Sequence, residues 1–289
     1  MKVRFLAFPV ILGAAFVSSS SMGADVPATN LSHQSASEVE DIGEIAEDPS
    51  SNGLQGTGFR VSSGARTEYT SNAKLSGNNS SSDGIFFPSI EAGYSKGLGH
   101  GFSFDLDTII EAGIYADRTE RSFIGYTAQA SLDWRFKPSY PRVYLGLEPY
   151  RFDAFDRDGL ITEALGTLAG TDWGFAFNSG YSYFFAGYTF ENYIADPGID
   201  TRFANRVVVG ITHQLRPQLF AQGYYQYQYS DYQNISRVDN RHSVSLALIW
   251  QINRHLFANV SGSFIDNNST ELNASYQATT AALGLTWQF

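Results

Sequence analysis

Residues Arg241–Ile252 read RHSVSLALIWQI, and their polarity alternates with period two. Val244, Leu246, Leu248, Trp250 and Ile252 share one face, while Ser243, Ser245, Ala247 and Gln251 share the other. Successive side chains of a strand point to opposite sides, so the stretch predicts a strand with one large apolar face and one small polar face. Its neighbours repeat the pattern. In 202–215, Phe203, Val207, Val209, Ile211 and Leu215 oppose Arg206, Gly210, Thr212 and Gln214. In 218–232, Leu219, Ala221, Tyr225, Tyr227 and Tyr229 oppose Gln222, Gln226 and Gln228.

Outward from there the alternation predicts strands at 57–70, 85–97, 101–116, 122–136, 141–152, 165–177, 181–194, 202–215, 218–232, 241–252, 255–266 and 273–289. The sixth alternates least clearly, so ten or fourteen strands also fit. Short connections at 98–100, 137–140, 178–180, 216–217 and 253–254 take turns with longer ones at 71–84, 117–121, 153–164, 195–201, 233–240 and 267–272. A tilted membrane-crossing strand needs roughly 9–11 residues, and most of these stretches are longer. A soluble sandwich would hide its large apolar face and load the other with charge. Charged residues are only 17% here, against about a quarter in soluble domains. The pattern therefore predicts an all-β fold over 54–289, a transmembrane antiparallel up-and-down β-barrel of about twelve strands. An even strand count returns both ends to one side, with short turns there and longer loops opposite.

The N-terminus fits such a destination. Residues 1–24 read as a cleaved export signal, with Lys2 and Arg4 ahead of an apolar run from Phe5 to Val17 that is too short to cross a bilayer as a helix. Residues 25–53 hold seven acidic residues and no Lys or Arg, and read as a disordered periplasmic leader. Val39, Ile42 and Ala46 alternatively form one face of a short helix that plugs the interior. There is no cysteine, which excludes disulfides, thiolate metal sites and lipidation at a cysteine. A net charge of −10 without a basic cluster is unsuited to nucleic acid.

An echo runs through the descending strands, which end SLDWRF (131–136), GITHQL (210–215), ALIWQI (247–252) and GLTWQF (284–289). Trp134, Trp250 and Trp287 fall on the apolar parity at the periplasmic ends, where aromatics form an interfacial girdle. His213 takes that place in the fourth copy. The last copy closes on Phe289, preceded by Trp287, Leu285 and Leu283 at alternate positions, with Gly284 between. This ending resembles that of bacterial outer-membrane β-barrel proteins of the porin-like kind, in which such a final strand is recognised by the barrel-assembly machinery. Ala282 departs from the family's polar preference two positions before the glycine. The resemblance covers 54–289 at the level of pattern and implies the outer membrane as location.

Twelve strands give a backbone diameter of roughly 24 Å, leaving a narrow interior once side chains are added. Parity points Arg60, Arg66, Glu68, Glu91, Asp105, Asp107, Glu111, Asp133, Arg135, Arg142, Glu148, Asp172, Glu191 and Arg206 inward, nine acidic and five basic. Charges at membrane depth need water or partners. They predict either a hydrated, mildly cation-preferring pore, lined by Arg60, Arg66, Glu91, Glu111, Glu148, Asp172, Glu191 and Arg206, or ion-pair networks that brace a closed barrel. Asp105, Asp107, Asp133, Arg135 and Arg142 are expected to form a ladder near the periplasmic rim across the third to fifth strands. Tyr225, Tyr227 and Tyr229 are expected outward, in an aromatic belt. Tyr144 and Tyr150 point inward and are the better sugar-stacking candidates.

Outer-membrane hydrolases need a nucleophile and a histidine on one outward face. His33 lies in the leader, His100 and His255 at turns and His213 in the girdle. His242 has Val244, not Ser243, on its own face. No nucleophile–histidine pair emerges from the spacing, and no phosphate loop, histidine-based metal site or cofactor motif is visible. An adhesin is poorly served by loops 71–84 and 153–164. The sequence is read as a non-enzymatic outer-membrane channel for small hydrophilic solutes or ions, its partners being outer-membrane lipid, the barrel-assembly machinery and the solute. A non-conducting structural or adhesin-type barrel and an outer-membrane hydrolase are the alternatives.

Overall fold

Inside hydrocarbon, every backbone N–H and C=O must be bonded within the protein, so a strand-built membrane protein has to close its sheet. The computed structural model describes residues 58–72, 81–137, 140–155, 160–271 and 274–289. It shows one closed antiparallel barrel in which each strand pairs with its sequence neighbours and the last returns to the first. The strands are β1 (Gly58–Thr70), β2 (Asp83–Gly99), β3 (Phe102–Tyr115), β4 (Phe123–Trp134), β5 (Arg142–Ala154), β6 (Leu160–Phe177), β7 (Ser182–Asp196), β8 (Arg202–Arg216), β9 (Leu219–Tyr232), β10 (Arg237–Gln251), β11 (Leu256–Ser269) and β12 (Tyr276–Gln288). Closure runs from Ser62 opposite Gln288 to Thr70 opposite Thr280. The expected export signal, 1–24, and leader, 25–53, lie outside the described residues.

The twelve expected strands are all present. The sixth, the least clear in sequence, is the longest at 18 residues. It starts at Leu160 and β5 continues to Ala154, so 153–164 is not a sizeable outer loop. Likewise β10 begins at Arg237 within the expected loop 233–240, and β11 runs on to Ser269. These extensions lie at the outer ends, where strands rise clear of lipid. There the outward face meets water, so polar residues stand on both faces of the strand.

The outward face carries the large apolar residues. Trp134, Trp250 and Trp287 are 40%, 51% and 43% exposed on that face, and β6 adds Trp173, Phe175 and Phe177 near its inner end. The tight turn between β2 and β3 is built on Gly99 and Gly101, both at positive φ, where a side chain would be strained.

The inward face is not purely polar. Phe123 lies against Gly113, Phe152 against Gly125, Tyr193 against Gly166, Tyr144 against Gly170 and Phe185 against Gly210, each ring resting on a glycine of the adjoining strand. The missing Cβ lets the ring lie along the wall instead of standing into the interior. We predict that Gly125→Ala displaces the Phe152 ring and costs about 1–3 kcal/mol through overpacking. A lowered urea midpoint for the refolded barrel checks this, and an unchanged midpoint contradicts it.

Candidate functional site

The interior divides by height. At the periplasmic end Arg60 pairs with Asp107 and donates to Ser95 Oγ at 3.3 Å. Arg142 Nε donates to Asp172 at 2.7 Å, and the same guanidinium lies 3.8 Å from Asp133. Arg135 reaches Asp172 at 3.6 Å, and Ser131 donates to Asp133 at 3.0 Å. The expected ladder of Asp105, Asp107, Asp133, Arg135 and Arg142 is thus wider than the third to fifth strands. It draws in Arg60 from β1 and Asp172 from β6, because antiparallel register sets Arg142 directly opposite Asp172.

Farther along, Glu191 and Arg206 pair at 2.9 Å. Glu148 accepts the Tyr193 hydroxyl at 2.9 Å, and Glu91 accepts Ser62 Oγ at 3.1 Å. Arg66 stacks over Phe87 at 4.6 Å, and Glu111 is buried on β3. All eight residues read from sequence as pore-lining therefore sit on the inward face, and they come from β1 to β8. The inward wall of β9 to β12 carries neutral polar residues over much of its length, Gln222, Gln226 and Gln228 on β9, Ser243 and Ser245 on β10, Ser261 and Ser263 on β11, and Thr280 on β12, with Phe220, Tyr224 and Ile249 toward the inner end and Arg237, Asp239 and Arg241 toward the outer end. Ser263 and Thr280 share a hydrogen bond of 2.6 Å. The hydroxyls of Ser243, Ser245 and Ser261 find no hydrogen-bond partner among the described residues. Buried polar atoms of this kind are ordinarily satisfied by water.

Toward the outer end the interior closes up. Phe87, Phe123, Tyr150, Phe152 and Tyr193 pack with Ile85 and Ile109 in one cluster, with Tyr150 and Tyr193 edge to face at 5.7 Å. Arginines stand beside it. Arg202 lies 4.8 Å over Tyr193, Arg237 lies 4.5 Å over Tyr232 and pairs with Asp239, and Arg241 is buried on β10. Phe152, Tyr193 and Arg202 are all 0% exposed. Tyr150 is thus a member of the packed layer. Sequence reading missed this layer. Arg202 is the first residue of its strand, Arg237 and Asp239 fell inside an expected loop, and the inward rings depend on glycines of other strands.

Two histidines correct the expectation that no nucleophile–histidine pair forms. Ser182 Oγ lies 2.9 Å from His213 Nδ1, because register sets the two residues opposite each other. Tyr225 hydroxyl lies 2.7 Å from His242 Nδ1, on the outward face as parity expects. Ser182 is only 4% exposed, however, which keeps an ester away from its hydroxyl. Among the described residues no three His, Asp or Glu side chains gather as metal ligands. At the C-terminus Leu283, Leu285, Trp287 and Phe289 are exposed outward. Gly284 faces inward beneath the Asn259 amide, which a Cβ would meet at 2.5 Å.

Residues 185–289, essentially β7 to β12, match the family described as "Putative beta-barrel porin 2". No curated protein matches the sequence. Among solved structures the chain is similar to the KdgM porin in complex with disordered oligogalacturonate, at 12% identity over 79% of this chain and 99% of that one, with a TM-score of 0.46. It is also similar to the NanC porin, at 9% identity over 78% and 98%, TM-score 0.47. A third is the outer membrane channel DcaP of Acinetobacter baumannii, at 10% identity over 81% and 97%, TM-score 0.45.

One titration outside the membrane-crossing strands bears on the packed layer. Burial pushes the Asp200 carboxyl up to about 6, against the pull of Arg202 and Arg237. An unfolded aspartate releases its proton near pH 4. The folded chain therefore holds the extra proton between about pH 4 and 6, and this contribution to stability is full below that window and lost as pH rises through it. We predict that Asp200→Asn flattens the fall in thermal midpoint between pH 4 and 6.5, removing up to about 3 kcal/mol of pH-dependent stability. An unchanged slope contradicts the assignment.

Proposed function

Starting from a bacterial outer-membrane β-barrel whose C-terminal third matches a porin family, we propose that the protein is a narrow channel for passive diffusion of small hydrophilic solutes or ions, mildly preferring cations. One observation carries this reading. A wall of inward charges from β1 to β8 faces, below the outer arginines of β10, a wall rich in serine, threonine and glutamine from β9 to β12. Such a polar interior is costly at membrane depth unless water shares it. Acidic groups outnumber basic ones along the inner two thirds, and an acidic lining favours cations through its field. The aromatic–arginine layer near the outer end, with Phe152, Tyr193 and Arg202 fully buried, is read as the resistance to flow. The same reading assigns Leu283, Gly284, Leu285, Trp287 and Phe289 to the strand that the barrel-assembly machinery engages, since a flat apolar edge can pair with it before closure.

The packing of that outer layer, with Phe152, Tyr193 and Arg202 fully buried, favours a second reading, a non-conducting structural barrel. Single-channel recording of the refolded protein under a salt gradient separates the two. The channel reading expects discrete steps with a cation-side reversal potential. Glu148→Gln is expected to move that potential toward zero, and Phe152→Ala to enlarge the steps. A folded barrel that never conducts, with Phe152→Ala equally silent, overturns the channel and leaves the structural reading.

A further inference from the structure

The lipid-facing side of the barrel is not uniformly ridged. In register, Leu219, Trp250, Ala258 and Leu285 form one transverse row of outward positions across β9 to β12. Ala258 is a gap in that row between Trp250 and Leu285. Leu248 and Val260 lie in the next row outward. The result is a groove of about 590 Å³ on the outside of the wall, floored by Ala258, flanked by Leu248, Trp250 and Val260, and ending at the Arg216–Gln218 turn.

We propose that this groove seats an anionic phospholipid of the inner leaflet, one acyl chain along Ala258 and Val260 and the phosphate at Arg216. Three features fit this occupant. The groove opens at the periplasmic turn, the level at which headgroups lie, and Trp250 beside it marks that level as an interfacial anchor. Arg216 is exposed at its end, and Arg254 is exposed on the adjoining turn. Neither turn contains Asp or Glu, so nothing nearby on them offsets the positive charge, and guanidinium pairs well with phosphate. A second copy of the chain would instead have to bury Arg216 in an apolar contact, which is costly for an unpaired charge. The inference goes beyond the channel reading and holds whether or not the barrel conducts.

Native mass spectrometry of the refolded full chain in micelles tests it, with phosphatidylglycerol and phosphatidylcholine supplied in equal amounts. Heat-modifiable gel mobility certifies folding of each variant. The wild type is expected to retain phosphatidylglycerol about threefold over phosphatidylcholine, the scale of one exposed ion pair. Arg216→Gln is expected to bring that ratio near one while lipid is still retained. Ala258→Leu, which fills the floor, is expected to lower retention of both lipids. Equal retention of the two lipids by the wild type, or a folded Ala258→Leu barrel that holds as much lipid as the wild type, overturns the site. So does a stable dimer dispersed by Ala258→Leu, which would assign the groove to a second copy.

Discussion

Everything in this structure follows from the backbone's need for hydrogen bonds where there is no water. A strand in hydrocarbon leaves half its polar groups unbonded unless another strand lies on each side, and only closure supplies that for every strand. Closure between β1 and β12 then fixes two surfaces with opposite solvents. Because side chains alternate, each strand must alternate too, and a one-residue slip would exchange the surfaces along its whole length. The run from Val244 to Ile252 is that constraint written in sequence.

The interior solves a second problem, that of filling a cylinder with side chains while keeping charges partnered. It does so by cross-strand pairing, as in Arg142 with Asp172 and Arg206 with Glu191, and by using glycine as the seat for a neighbouring ring. Charge and bulk are distributed unevenly. Ion pairs from β1 to β8 stand opposite a largely polar wall that also holds Phe220, Tyr224 and Ile249 toward the inner end, and the outer third carries rings and arginines. A packed layer near one mouth with a polar lining behind it is what the proposed channel reading rests on.

The sequence disclosed the fold where lipid enforces it. The strands were legible from period two, the sixth least clearly, and the inward placement of the eight candidate residues was legible from parity. What escaped lay where that enforcement ends. Leu160–Ala164 and Arg237–Asn240 read as loop because Glu163 and Asn240 occupy outward positions beyond the lipid, where polar residues are welcome. Arg237 was lost with those ends, while Arg202 and Arg241 stand at the first positions of their expected strands. The Ser182–His213 contact and the Phe152–Gly125 seat were illegible for another reason. Each depends on the register between strands, which linear spacing does not contain. A search for inward aromatics with glycine on the adjoining predicted strand offers the missing signal.

The central claim is that one parity meets water and the other meets lipid. The chain has no native cysteine, so single thiols can report on it directly. Asn259 faces the interior and Val260 the groove side of the exterior. The decisive measurement is the rate at which a small, charged, water-soluble methanethiosulfonate modifies Asn259→Cys and Val260→Cys in the folded barrel in bilayers. The account predicts rapid modification at 259 and protection at 260. Protection at 259 with reaction at 260 would contradict it, because the hydrated surface would then be the outer one.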